Sequence, residues 1–340
     1  MDGSVGGNLI GADGQPQFGL FEQPLANINY RDFDLRDAMD KPRGRLAKHF
    51  AFNQFQFISL CCEELIVGLA IVDLKWVSNA FVYCYAPRSG EFEEFSFVQP
   101  LARRSHIDTT PNCGEARFAS GRNQLRISAQ AGSRRVELSL ASGLYIDAEI
   151  DEAAGYQPLS ICTRAGYAGW VYTQKTTARP ASGRLRWRGR ELDLAASEAL
   201  AGVDWSAGYM RRETFWNWGS LSARLGDGRR LGFNLVAGVN DTGYTENALW
   251  LDDKLVKLST VAFEFNRRDG EAPWFMRSQD GVLDLRFEPA GRRCERRNAV
   301  LIASNFSQYF GRYYGRIQLA EETLVLDGQW GFAENHFARW

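Results

Sequence analysis

From Leu46 onward the chain is a succession of short apolar runs cut by turn-forming residues, and within the runs apolar and polar positions tend to alternate. Phe92-Glu-Glu-Phe-Ser-Phe97 and Leu138-Ser-Leu140 show this openly, the mark of antiparallel strands with one buried and one wet face. Strands are predicted over 47–59, 64–74, 77–86, 91–98, 115–119, 124–129, 135–140 and 144–150. Pro87-Arg-Ser-Gly90, Pro111-Asn-Cys-Gly114, Ala131-Gly-Ser133 and Ser142-Gly143 supply the turns between them. The run 64–74 is apolar enough for a buried helix, but Gly68 and the β-branched Ile66, Val67, Ile71 and Val72 favour a strand.

A second series covers 230–238, 246–251, 255–258, 261–266, 274–277, 282–287, 303–310, 312–319 and 323–330, with Asp227-Gly228, Asp269-Gly270 and Asp280-Gly281 as hairpin signals. The total is about twenty strands, and an open sheet rarely exceeds ~10, so the pattern predicts two closed or sandwiched units. The division expected is 46–180 and 181–340, preceded by an irregular arm over 1–45 that is rich in Gly, Asp, Asn and Pro. No amphipathic helix of three turns is evident. The best short helical candidate is 194–200.

Charge and composition exclude several classes. Forty basic against forty-one acidic residues leave no global field for nucleic acid or anionic lipid. Only six of the basic residues are lysines, Lys41, Lys48, Lys75, Lys175, Lys254 and Lys257. The six cysteines show no Cys-x-x-Cys spacing and read as reduced, structural thiols. His49, His106 and His336 are far apart, so no metal site is expected. Neither a phosphate loop nor a Gly-x-Ser-x-Gly elbow occurs, and Gly6-Gly-Asn-Leu-Ile-Gly11 follows no strand, so no cofactor is expected. Nothing resembles a secretory signal or the ~18 apolar residues of a spanning helix, so the expectation is a cytoplasmic protein with no integral membrane segment.

Candidate chemistry is densest between Gly202 and Gly219. Gly202 and Gly208 predict a turn around Asp204 and Trp205. A strand then follows with Arg212, Thr214, Trp216 and Trp218 on one face, and Glu213, Phe215 and Asn217 on the other. Asp204 reads in two ways. It is a general acid, if the rings strip its solvation and raise its pKa, or a structural carboxylate that accepts backbone N–H groups or pairs with Arg211 or Arg212. Asn234, Glu246, Asn247 and Trp250 are polar or aromatic strand-end groups that either face a cavity or anchor a hairpin. A repeat relates Gly183-Arg-Leu-Arg-Trp187, followed by Asp204, to Gly315-Arg-Ile-Gln-Leu319, followed by Glu334. Glu334 and His336 share a strand face and form either an acid–imidazole pair or a tie for the chain's end.

The run Val203-Asp-Trp-Ser-Ala-Gly-Tyr209 with Trp216-Asn-Trp218, then Leu231-Gly-Phe-Asn-Leu-Val-Ala-Gly238, Glu246-Asn-Ala-Leu-Trp250 and Glu334-Asn-His-Phe-Ala-Arg-Trp340, resembles the bacterial family numbered 2804 among domains of unknown function. That family is distantly similar to the tandem-lipocalin group of carotenoid hydratases and AttH-like proteins. The resemblance implies an all-β fold of two tandem lipocalin-like antiparallel β-barrels. It also implies an acid, here Asp204, working beside Trp205, Trp216 and Trp218 on a carbon–carbon double bond. Three functions follow as expectations. The first is binding of an apolar lipid or isoprenoid-like molecule in an aromatic-lined barrel cavity. The second is a cofactor-free hydratase, cyclase or isomerase, and the third is a scaffold with filled barrels.

Overall fold

The computed structural model describes residues 6–339 except 131, 154, 240–242, 300 and 301. Two large antiparallel sheets carry the chain, the first fourteen-stranded and the second nine-stranded, as the strand count required. The first runs from Glu91–Pro100 through Val77–Ala86, Ile66–Asp73, Asn53–Cys61, Leu200–Gly208 and Gly169–Trp187 to Tyr145–Asp151, Ser133–Ser139, Asn123–Gln130, Gly114–Ser120 and Ser105–Ile107. It curls until Ser105–Ile107 lies against Ile66–Asp73 and Asn53–Cys61. The second runs from Lys254–Lys257 through Ala248–Leu251, Arg230–Ala237, Glu213–Arg224, Thr323–Arg339 and Ile302–Gln318 to Leu283–Ala299, Trp274–Ser278 and Val261–Glu264, which returns against Arg230–Ala237. The molecule is therefore two lipocalin-like barrels in tandem. Among the described residues no helix is long and apolar enough to cross a membrane.

Alternation decides what each barrel holds. Ile58, Leu69, Val82, Trp170 and Trp205 point inward in the first, and Leu221, Phe233, Trp274, Phe287 and Tyr313 in the second. Both interiors are filled by side chains, which leaves the other face of several strands to be covered in a different way. Cys61, Ile66, Tyr83 and Tyr85 on the outside of the first barrel pack against Trp218, Phe310, Trp330 and Phe332 on the outside of the second.

Two β-bulges place side chains on that outer seam. Gly328, at φ +92°, is the extra residue where Tyr313 pairs with Gln329 and Tyr314 with Asp327. It reverses the alternation along Thr323–Arg339, so Leu324 and Leu326 face inward while Phe332 and Glu334 face the other barrel. Between Pro289 and Gly291 a similar irregularity turns Arg293 outward onto the ring of Phe81.

Several sequence expectations change. The strand expected from 47 begins at Asn53, and Arg45–Ala51 is a helix with no buried residue. A helix that buries no face leaves no periodicity to read. The helix expected at 194–200 is a turn closed by Ala199 N–H to Leu194 O and Ser197 N–H to Asp193 O, with Glu198 at φ +52°. Asp204 lies within a strand, Leu200–Gly208, and not in a turn. Its glycines are there for close approach: a Cβ at Gly208 would stand 2.1 Å from Trp170 O. The division expected near 180 falls inside Gly169–Trp187, and the chain passes from one sheet to the other at 209–212. The arm contributes Leu9, Leu25, Ile28 and Phe33 to the first core, and Tyr30 stacks on Phe52 at 3.7 Å.

Gly68 lies beneath the Tyr83 ring, where a Cβ would come within 2.1 Å of the phenol oxygen, and that phenol donates across the seam to Gln308 Oε1. Gly68→Ala is expected to push Tyr83 off Gln308 and lower stability by about 1–3 kcal/mol, the usual cost of overpacking, measured by urea unfolding.

Candidate active site

Between the outer faces of the barrels lies a cavity of about 210 Å³. Phe55, Phe57 and Phe81 line it from the first barrel, and Trp216, Trp218 and Phe306 from the second. The cavity expected inside a barrel is thus between barrels, because the inward positions are already occupied by core side chains. Six ionisable groups line it, Lys175, Asp204, Arg211, Glu246, Glu334 and His336, and four of them carry the charge balance: Lys175, Asp204, Glu246 and Glu334.

Lys175 stands directly opposite Asp204 in the ladder of Gly169–Trp187 with Leu200–Gly208. Its ammonium is 2.8 Å from Asp204 Oδ2 and 2.9 Å from Glu246 Oε2, and Glu246 comes from the second barrel, so one buried lysine ties the two halves together. Burial works against the lysine charge, but the two carboxylates outweigh it and hold its pKa above the ordinary value. Ser206 Oγ donates to Asp204 Oδ1 at 3.1 Å, with Thr173 Oγ1 farther off at 3.4 Å. Asp204 is therefore paired, with Lys175 in place of the expected Arg211 or Arg212.

Glu334 sits in the corresponding place of the second barrel, opposite Gln308 in the ladder of Ile302–Gln318 with Thr323–Arg339. The repeat has a geometric basis. Gly183 and Gly315, at φ +106° and +127°, each lie where a Cβ would meet a neighbouring strand's carbonyl oxygen at 2.2 Å. Lys175 precedes the first glycine by eight residues and Gln308 the second by seven, the difference being the extra residue of the bulge between Thr176 and Arg179.

Replacing lysine by glutamine changes the chemistry. Glu334 receives Trp216 Nε1–H at 2.7 Å and Gln308 Nε2–H at 2.8 Å, both neutral donors. Burial raises its pKa to about 7, against the pull of those two hydrogen bonds and of Arg293, and the charge on Asp204 adds to the rise. The His336 ring is edge-on to Trp216 at 4.2 Å, with Nδ1 3.8 Å from Glu334 Oε1. Burial, then Arg293, lowers its pKa to about 3, so it is neutral and supplies no counter-charge. Its Nδ1 is, among the described residues, without a hydrogen-bond partner.

The other expected residues are distributed as follows. Trp205 points into the first core, edge-on to Tyr172, because it alternates with Asp204. Arg212 is exposed ahead of Glu213–Arg224, whereas Arg211 lines the cavity. Asn234 accepts from Trp218 Nε1 at 2.8 Å and so fixes that ring from behind. Asn247 bonds Val236 N–H and Ser259 O, and Trp250 Nε1 donates to Gln157 O, so both anchor loops away from the cavity. Sequence reading missed Lys175, Gln308, Tyr83 and Arg293. Lys175 had a signal, as the one charged residue between Trp170 and Ala178 in a chain with few lysines. Among the described residues no group of three His, Cys, Asp or Glu side chains could hold a metal ion.

The chain belongs to the family described as domain of unknown function DUF2804, which it matches over residues 4–340. No curated protein sequence matches it. Its fold is similar to that of kievitone hydratase from Nectria haematococca, at TM-score 0.51 and 12% identity, covering 84% of this chain and 88% of that one. It is also similar to CghA, at TM-score 0.56 and 13% identity over 97% of both chains. A protein of Nitrosomonas europaea provisionally named AttH gives TM-score 0.51 and 12% identity over 84% of this chain and 92% of that one. At these identities the likeness is one of fold.

Two outcomes follow from the buried charges. Lys175→Met strands Asp204 and Glu246 in the seam and is expected to cost about 3–5 kcal/mol in urea unfolding, with partial recovery when Asp204→Asn is added. Glu334 has a folded pKa of about 7 against an ordinary 4.5, so between those values the unfolded chain binds fewer protons and stability falls as pH rises. The loss amounts to about 3 kcal/mol once pH exceeds the folded pKa. Glu334→Gln, measured by unfolding at pH 5 and pH 8, should lack that fall.

Proposed function

We propose that this DUF2804 protein takes an apolar, lipid- or isoprenoid-like molecule into the cavity between its barrels. There Glu334 would protonate a carbon–carbon double bond in a cofactor-free hydration, cyclisation or isomerisation. The observation that carries this is a buried carboxyl group whose pKa is raised to about 7 in a cavity walled by aromatic rings. An acid catalyst works best when its pKa lies near the working pH.

The neighbouring groups divide the work. Trp216 and Gln308 orient the Glu334 carboxyl, one donor to each oxygen. A cation formed by protonation would lie against the faces of Trp216 and Trp218, within the field of the Asp204 carboxylate. Asp204, already engaged by Lys175, serves as a fixed charge in this scheme and Glu334 as the proton carrier. A protein that only binds would share the aromatic lining but would have no use for a proton held near neutrality. The fold likeness to kievitone hydratase supports the catalytic reading. An apolar cavity of about 150 Å³ accepts benzene, so this one suits a molecule of one or two rings, or the end of a longer chain. All six cysteines are unpaired, which suits a reducing cytoplasm.

The test begins with solvent extraction of the purified protein and mass spectrometry of what it retains, followed by incubation of that molecule with the protein in D₂O. Deuterium should enter at carbon with wild-type protein. The rate should fall about 10²–10⁴-fold in Glu334→Gln while the variant still retains the molecule. Equal incorporation by both proteins would remove Glu334 from the chemistry.

A further inference from the structure

The chain's near-neutral charge conceals a local basic surface built around exposed apolar side chains. The helix Arg45–Ala51 has no buried residue, and Leu46 on it is 77% exposed. Leu46 and Phe50 share a face one turn apart. Phe50 stacks on Trp76 at 4.0 Å, and Trp76 is itself 59% exposed. Trp76 O accepts the N–H of Leu101, whose side chain is also exposed. Four large apolar side chains from three separate segments therefore form one patch on the first barrel, remote in sequence from Glu334 and its partners.

The turns that hold this patch outward use unfavourable backbone. Leu101 and Ala102 lie at φ +56° and +46°, and Lys75, just before Trp76, at φ +64°. Non-glycine residues adopt these angles only at a cost, and such outliers gather where a surface has a task. The rim is cationic. Lys41, Arg43 and Arg45 are exposed in a stretch from 41 to 51 that has no acid, and Arg103 and Arg104 follow Leu101, whereas the Lys48 ammonium is turned onto the carbonyls of Arg31 and Phe33. The nearby acids are partly engaged: Asp73 is bound by Lys75 at 2.6 Å, and Asp37 accepts the N–H groups of Met39 and Lys41. Asp34 is bound by Arg36 at 2.7 Å, and Asp40, Asp32 and Asp108 are the further acids on this side, the last two in a hollow shared with His49 and Lys75.

We propose that this face docks on an anionic membrane surface, with Leu46, Phe50, Trp76 and Leu101 entering the headgroup boundary and the basic rim meeting lipid phosphates and carboxylates. Exposed tryptophan and leucine ringed by arginine and lysine match both the apolar and the charged layer of such a surface. A protein partner would present a fixed set of carboxylates, whereas nothing in the rim selects a geometry. The proposal does not depend on the role of Glu334.

Flotation with vesicles of phosphatidylcholine alone, and of an equal mixture with phosphatidylserine, tests it. Wild-type protein should float with the mixed vesicles and not with the neutral ones, and added salt should release it. Trp76→Ser combined with Leu101→Ser should abolish flotation, and Arg43→Gln combined with Arg45→Gln should weaken partitioning at least about tenfold. All these positions are exposed, and circular dichroism and melting should confirm unchanged folds. Failure of wild-type protein to float with anionic vesicles would overturn the proposal, as would flotation unaffected by the apolar pair. So would a concentration-dependent dimer in sedimentation that the apolar pair disrupts, since the face would then belong to a second copy.

Discussion

Closure of one barrel's outer face on the other removes several charges from water at once, and each is met differently. Lys175 is satisfied by Asp204 and Glu246, and Arg293 by Glu94 at 2.7 Å and by the Phe81 ring. Two carboxylates share one ammonium, so that cation has no reach left for Glu334. The ion-pair contact of Glu334 is, among the described residues, with His336 alone, which burial keeps neutral. An unpaired carboxyl in such a place resolves its desolvation by keeping its proton. The raised pKa is thus a consequence of how the whole seam distributes charge.

The backbone arranges this with few devices. Antiparallel alternation supplies two faces, and closed barrels use one of them for their own cores. What remains is a second set of side chains that a tandem partner must cover. Gly328 moves Glu334 onto that second set by inserting one residue, and cross-strand pairing then places Gln308 beside it. In the first barrel the same place holds Lys175 and Asp204. Two copies of one geometry therefore carry an ion pair in one case and a neutral, proton-bearing acid in the other.

Much of the fold was legible because hairpins write themselves in period two. Val77–Ala86 and Tyr145–Asp151 fall almost where alternation put them, and the turns between them are marked by glycine, proline and asparagine. The long strands Leu283–Ala299, Ile302–Gln318 and Thr323–Arg339 were divided at 287, 310 and 330. Bulges reverse the alternation in the first and last of these, and Gly311 interrupts the apolar pattern of the second. The glycines flanking Asp204 look like punctuation and so predict a turn where the chain runs as a strand. Gly208 is small because the backbone of Trp170 passes close by, and Gly202 because Ser59 Oγ does. The site was harder to read because alternation separates two faces without saying which one fills a barrel and which one meets its neighbour. Trp205 was accordingly grouped with the cavity, and Lys175 was overlooked.

The central claim is that Glu334 holds its proton near neutral pH, and ¹³C-carboxyl NMR of glutamate-labelled protein observes that directly. The Glu334 resonance, identified by its absence from Glu334→Gln, should titrate near pH 7, where its raised pKa places it. A resonance already at its ionised position at pH 5, in a protein shown to be folded there, would contradict the account.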